Sequence, residues 1–189
     1  MHAPGVFRSL KRAVTADDYE ALARNFKGVG KVRAEKTNWN TVKLFVAPAG
    51  GGQVSDVLEA NLLAYFEDKR PVSTTIEIKD VDYVKIYVTA EIGIQSYYSE
   101  DDIKEKVKGA AGGILAFDTV DFGKPIYLSK FYEAIEAIKG VEYVTITEFR
   151  REPVPVKPDE PGKIGLASNE IAAIPDDSNY TGGIKVEFP

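Results

Sequence analysis

The sequence contains no cysteine and only one histidine, so it lacks most of the side chains on which enzymes and metal sites depend. Without cysteine there is no disulfide framework, no thiolate zinc site, no iron–sulfur cluster and no thiol nucleophile. The single histidine, His2, stands beside the initiator methionine, which disfavours histidine relays and histidine-rich metal sites. We therefore predict that the protein is not an enzyme, and we assign no catalytic, cofactor-binding or metal-binding residue and no cofactor.

Long apolar runs and an excess of positive charge are also missing. No stretch approaches the roughly 18 apolar residues of a membrane span, and the first residues lack the basic start and apolar run of a signal peptide. The 24 Lys and Arg residues are outnumbered by 29 Asp and Glu residues, for a net charge of −5. This balance offers no electrostatic reason to bind nucleic acid or an anionic membrane.

Helical and strand patterns alternate in the first half of the chain. Thr15 is a candidate N-cap for a helix that ends at Gly28, and a hairpin is expected over residues 29–47. A second helix is predicted from about Ser55 to Lys69, and residues 73–79 alternate as a strand.

The order then starts again in the second half. A long strand is predicted over residues 83–95, with alternate apolar residues on one face. Ser99 and Ser129 are candidate caps of two further helices, the second ending at Gly140, and residues 141–149 form another strand. We predict an α+β fold of two small α/β sandwich modules with mixed or antiparallel sheets, a Pro-rich linker and a short C-terminal strand.

The predicted boundaries follow from these patterns. Residues 1–82 form the first module, 83–151 the second, 152–163 the Pro-rich linker and 164–189 a C-terminal tail that packs on the body. Four prolines lie within residues 152–162 and favour an extended, semi-rigid segment. We expect this segment to act as a strut or hinge and to be cut first in limited proteolysis.

An internal echo links the two halves. The first half contains Tyr19-Glu20-Ala21-Leu22 followed by Lys27-Gly28-Val29. The second half contains the similar segments Tyr132-Glu133-Ala134-Ile135 and Lys139-Gly140-Val141, with a spacing that differs by one residue. Either the halves share a structural duplication, or two amphipathic helices simply end in the same way.

Residues 50–52 form the motif that most resembles a phosphate site, because three glycines stand between a strand and a helix. The third glycine of a dinucleotide-binding pattern would fall at Ser55, and no Gly-Lys-Ser/Thr follows. We interpret the run as a loop. A small-ligand-binding regulatory module that uses this loop as its contact stays as the alternative function.

The carboxylate groups are better explained as caps and turns than as chemistry. Residues 17–18 and 100–102 follow helix caps, where the helix dipole favours negative charge. Asp118 and Asp121 flank an apolar loop, and residues 176–179 lack the spacing of a calcium loop. A hydrolase that uses carboxylates alone is a third possibility, which no histidine or cysteine supports.

Tyrosine is frequent, and Tyr83 and Tyr87 share the mixed face of the long strand with Lys85 and Thr89. Two interpretations are open for this face. Its tyrosines are either partly buried within the chain or form a protein–protein interface, where tyrosine buries a large area and keeps a polar tip.

The segment Arg12–Ala23 reads R-A-V-T-A-D-D-Y-E-A-L-A and is followed by Gly28-Val29 and a strand. It resembles the R-A-V-T-x-x-D-Y-E-x-L-A segment of the baseplate J-like proteins of contractile phage tails and related injection machines. The order of later segments is also similar to the family: Asp68–Pro71, Thr74 with Ile76, Tyr83-Val84, Phe122–Ser129, Gly140–Val144 and Asn169–Pro175.

The resemblance covers roughly residues 8–150 and the tail. Family members carry a larger part before the R-A-V-T segment, whereas 11 residues precede Arg12 here, so the resemblance is to the C-terminal portion. It implies a structural subunit of a tail baseplate or tail-like particle, made in the bacterial cytoplasm. The implied partners are other baseplate subunits, tail hub proteins and further copies in a wedge or ring.

Overall fold

The structure, a computed structural model, describes residues 12–155 and 160–189. His2 and residues 156–159 of the proline-rich segment lie outside this range. The chain divides into two compact units, unit 1 over Met1–Val81 and unit 2 over Asp82–Pro189. Within the described ranges, no helix combines the length and the apolar character that crossing a membrane requires.

Unit 1 consists of α1 (Ala16–Arg24), β1 (Val29–Lys36), β2 (Thr41–Pro48), α2 (Asp56–Phe66) and β3 (Thr75–Asp80). Its sheet has the order β1-β2-β3, with β2 antiparallel to β1 and parallel to β3. This is a mixed sheet, as expected for an α+β fold. The core lies between the sheet and the helices and includes Val32, Leu44, Val46, Leu62 and Phe66.

The start of α1 agrees with the sequence signal. Thr15 and Asp18 form a reciprocal capping box, in which each side chain accepts a hydrogen bond from the other residue's backbone N–H. These bonds satisfy two amides that the first helical turn leaves without partners. Gly28 follows the helix with a φ of +99°, a conformation that glycine adopts without steric strain.

Unit 2 is built around one long strand. Its elements are β4 (Asp82–Ile94), α3 (Glu100–Leu115), β5 (Ile126–Tyr127), α4 (Leu128–Glu136), β6 (Val141–Glu152), β7 (Lys163–Ile164), β8 (Glu170–Ala173), a 3-10 segment (Ser178–Gly183) and β9 (Lys185–Glu187). Strand β4 pairs with β6 in an antiparallel manner and with both β8 and β9 in parallel, while β5 pairs separately with β7.

The two faces of β4 differ as the alternation predicted. Val84, Ile86, Val88, Ala90 and Ile92 are buried, all at 1% exposure or less. On this face Phe149 of β6 meets Phe131 of α4, with ring centroids 6.0 Å apart. The opposite face carries polar and aromatic side chains.

The predicted cap at Ser129 is wrong. Helix α4 already begins at Leu128, with Tyr127 in the cap position and no side-chain cap bond. The cause is the preceding strand: Tyr127 pairs with Lys163, and the Leu128 N–H donates to the Gly162 carbonyl at 2.9 Å. Ser99 does occupy the cap position of α3, but its side chain makes no cap bond.

The internal echo corresponds to a shared local arrangement. In each unit, a helix (α1 or α4) leads into an edge strand (β1 or β6) that is antiparallel to a central strand. The Ala34 N–H donates to Glu20 Oε1 at 2.9 Å, and the Ile146 N–H donates to the Tyr132 hydroxyl at 3.2 Å. The central strand follows the edge strand in unit 1 and precedes it in unit 2, so a duplication stays a hypothesis.

Candidate interaction surfaces

The acidic pair in the first turn of α1 serves the helix. Asp18 Oδ2 accepts hydrogen bonds from the N–H groups of Val14 and Thr15 at 3.1 and 2.8 Å. Burial raises the pKa of Asp18, but the hydrogen bonds from Thr15 and Val14 outweigh it, so the pKa is lowered. Both acidic residues lie in the first turn of α1, as expected, and Asp18 also takes part in the capping box.

Three further acidic residues of the predicted turns also have local partners. Asp177 caps the 3-10 segment by accepting from the Asn179 N–H at 2.9 Å, and Asp176 Oδ2 lies 2.8 Å from Lys85 Nζ. Asp121 Oδ1 accepts from the adjacent Phe122 N–H. In the part of the chain that the structure describes, no three His, Asp or Glu side chains come together as a metal site.

The glycine run over residues 50–52 lies in the turn between β2 and α2. All three glycines have a positive φ, between 87° and 90°, and a Cβ added at Gly50 or Gly52 would meet nothing within 4 Å. The run borders neither of the two grooves described for this fold. Its geometry is that of an open turn, and it supplies no contact that favours a bound ligand.

The outer face of the unit 2 sheet carries a polar network centred on Glu148. Its Oε2 atom accepts from the Thr89 hydroxyl and the Tyr180 hydroxyl, both at 2.6 Å, and its Oε1 accepts from Arg150 Nε at 2.7 Å. Burial raises the pKa of Glu148, but these three hydrogen bonds outweigh it and lower the pKa. The network fastens the 3-10 segment to the sheet.

Tyr87 belongs to the same network. Its ring meets the Tyr180 ring edge-on at a centroid distance of 4.9 Å, and the Arg150 guanidinium lies 4.0 Å above it. Of the two interpretations of this tyrosine, the structure favours partial burial within the chain. The most exposed aromatic residues lie elsewhere: Trp39, at 84%, is in the turn between β1 and β2, and Tyr97, at 94%, precedes α3.

A buried cation holds the two ends of the proline-rich segment. Arg151, which is only 7% exposed, donates to the Pro153 carbonyl at 3.2 Å, the Gly165 carbonyl at 2.7 Å and Glu170 Oε1 at 2.6 Å. Glu170 Oε2 also accepts from the Ala167 N–H. The guanidinium therefore ties the end of β6 to the chain that returns toward β8.

An apolar groove of about 870 Å³ lies between parts of α3 and α4 within unit 2. Its lining comes from α3, the loop after it, strand β5 and the region of α4: Ala110, Gly113, Ile114, Thr119, Val120, Lys124, Pro125, Ile126, Tyr127, Lys130, Glu133, Ala134 and Ala137. Eight of these thirteen residues, counting glycine, have no charged or hydrogen-bonding group in the side chain. The groove is therefore a concave surface with a mostly apolar lining.

The molecule is thus a mixed α+β protein in which Asp18 and Asp177 cap helical segments and Glu148 holds a sheet contact, and which carries an apolar groove. Residues 11–79 match the model of the baseplate J-like central domain. This match agrees with the resemblance noted in the sequence, and it covers the segment that carries the R-A-V-T motif.

The fold also matches a solved structure entitled "Cryo-EM structure of the anti-feeding prophage (AFP) baseplate, 6-fold symmetrised". The match has a TM-score of 0.63 at 13% sequence identity, and it covers 92% of this chain. The chain spans 40% of the length of that protein. No curated protein matches the chain.

Proposed function

We propose that the chain is a structural subunit of a phage-tail or contractile-injection baseplate, where it works through protein–protein interfaces in a wedge or ring. The observation that carries the proposal is the family match over residues 11–79. The likeness of fold to a chain of the anti-feeding prophage baseplate extends over both units and supports it. We propose further that its partners are other baseplate subunits, tail hub proteins and copies of itself.

A structural role also suits the chemistry of the chain. A catalytic site needs convergent groups with perturbed acidity around a cleft. Here Asp18, Glu148 and Glu170 all have lowered pKa values, and each is bound by neighbours that stabilise the fold. We propose that the chain acts without catalysis.

A ring subunit needs two different contact surfaces, because a cyclic arrangement joins the head of one copy to the tail of the next. The described residues offer separate candidates. Unit 1 exposes Trp39, and Val72 in the loop before β3 is fully exposed. Unit 2 carries the apolar groove between α3 and α4.

The proposal is tested by mass spectrometry of purified tail-like particles from the source strain. We expect peptides of this chain in a fixed ratio to sheath and hub proteins through successive purification steps. Complete particles that lack these peptides would contradict the proposal.

A further inference from the structure

The groove between α3 and α4 combines a mostly apolar lining with a few charged residues. This combination indicates what kind of partner the groove would bind. We propose that it is a docking site for an apolar segment of a neighbouring protein, and that this segment carries a carboxylate that pairs with Lys124. The inference rests on the proposed function only in taking the neighbour to be another protein of the particle.

The first step is the shape and polarity of the groove. Ala110 and Ile114 of α3 and Ala134 of α4 are half-buried and face a volume of about 870 Å³. Burying apolar surface is favourable in proportion to the area removed from water. An apolar segment that fills the groove would therefore gain free energy from surface that the folded chain leaves wet.

The second step is the charge at the rim. Lys130 Nζ is paired with Glu133 Oε2 at 2.7 Å. Lys124 Nζ instead reaches only the Thr119 carbonyl, at 3.3 Å, and within residues 12–155 and 160–189 no carboxylate lies in ion-pair range of it. A carboxylate is the complementary group, because a hydrogen bond between two charged partners is stronger than a neutral one.

The third step is the access that α3 offers to a partner backbone. Packing within the chain explains the glycine at position 112, because a Cβ there would lie only 3.3 Å from the Gly182 carbonyl oxygen. Gly113 borders the groove, and a Cβ there would meet nothing within 4 Å. Glycine is disfavoured in a helix interior relative to alanine, and the open space above Gly113 lets a second chain approach the helix closely.

The chemistry of the groove is tested on the purified full chain with 1-anilinonaphthalene-8-sulfonate, a probe that joins apolar rings to an anionic group. We expect saturable binding, seen as enhanced dye fluorescence. Lys124→Glu should weaken it on the order of tenfold, whereas Lys124→Arg, which keeps the charge, should leave it near the wild-type value. Equal affinity for the Lys124→Glu and wild-type chains would overturn the assignment of Lys124.

Two helix variants separate filling of the groove from a change in folding. Gly113→Leu should abolish dye binding by occupying the groove, while Gly109→Leu places the same side chain one turn earlier, outside the lining, and should leave binding intact. Both variants should retain the wild-type circular dichroism, because neither added Cβ meets another atom within 4 Å. Unchanged dye binding in Gly113→Leu would rule out this groove as the site.

Docking itself is tested in assembled particles with the photo-crosslinker benzoylphenylalanine at Ala134, inside the groove, and at Glu136, outside its lining. We expect a discrete adduct with another particle protein from position 134 only, through a peptide with a carboxylate among apolar residues. No adduct from 134, the same adduct from both positions, or a peptide without a carboxylate would contradict the proposal. If the purified particles lack this chain, the proposed function is wrong. The dye experiments on the purified chain would then be the test of whether the groove binds an apolar, anionic partner.

Discussion

The two units contain the same kinds of secondary-structure element, but different contacts stabilise the interior of each one. Unit 1 relies on an apolar core in which Tyr19, Tyr65 and Phe66 meet, with the Phe66 ring 5.5 Å from Tyr19 and 5.4 Å from Tyr65. Unit 2 contains two polar clusters, in which Glu148 accepts from three side chains and Arg151 donates to three oxygens. The comparison shows how short strands can be kept in place: β8 and β9 contain four and three residues, and polar side chains hold the segments beside them.

The largest effect is expected in the core of unit 1. Phe66 is fully buried, so Phe66→Ala removes both ring contacts and leaves a cavity. We predict a loss of about 4 kcal/mol in the free energy of unfolding, measured by urea denaturation. Exposed Val72→Ala is the matched control, and an equal loss in both variants would contradict the role of the core.

The next largest effect is expected at the buried cation of unit 2. Arg151→Met keeps much of the side-chain volume but leaves Glu170 and two carbonyls without the guanidinium, which should lower stability by about 3 kcal/mol. Hydrogen exchange should show the loss of protection in β6 and β8, with the amides of β2 unchanged.

The exposed pair of Lys130 and Glu133 is the control for this prediction. Its two side chains are 62% and 69% exposed, and such pairs contribute about 0–1 kcal/mol. If Lys130→Met cost as much as Arg151→Met, the distinction between a buried clamp and a surface pair would fail.

A smaller loss of stability is expected from removing the cap of α1, and almost none from removing the cap residue of α3. Thr15→Ala removes the side-chain acceptor of the capping box and should cost about 1 kcal/mol. Ser99→Ala should cost almost nothing, because Ser99 makes no cap bond. Thermal unfolding of the two variants side by side measures this difference, and a reversed ranking would contradict the assigned cap geometry.

The smallest effect depends on pH. The pKa of Glu148 is lowered in the folded chain, so its stabilising contribution is fully present above the pKa of the unfolded chain. That contribution is lost as the pH falls through the folded pKa, which lies below the ordinary glutamate value. Glu148→Gln should therefore be less stable than wild type near neutral pH, and urea titrations should show the difference closing in acid. A difference that stays constant with pH would contradict the role of the charge.

Local signals in the sequence predicted the elements well. Thr15 with Asp18 marked a helix start, the alternation along β4 marked its buried face, and the break between β1 and β2 marked a hairpin. The prediction that Ser129 caps α4 failed because the residues before α4 pair with β7, some 35 residues further along the chain. Cap propensity describes only neighbours in sequence and does not include such a partner.

The interaction surfaces were less visible in the sequence. Glu148 meets Thr89 and Tyr180 across separations of 59 and 32 residues, and nothing in the pattern of β6 distinguished Arg151, which is buried, from Arg150, which is not. The groove arises from the spacing between two helices, whose lining residues read as ordinary amphipathic positions. Such features depend on tertiary packing, whereas the family resemblance rested on a linear motif.

The most direct test of the central claim is a cryo-EM reconstruction of the tail-like particle from the source strain. The proposal predicts density at the baseplate into which unit 1 and unit 2 each fit as separate bodies, repeated around the tail axis, with a neighbouring chain over the groove between α3 and α4. A well-resolved baseplate in which every density is accounted for by other proteins would contradict it.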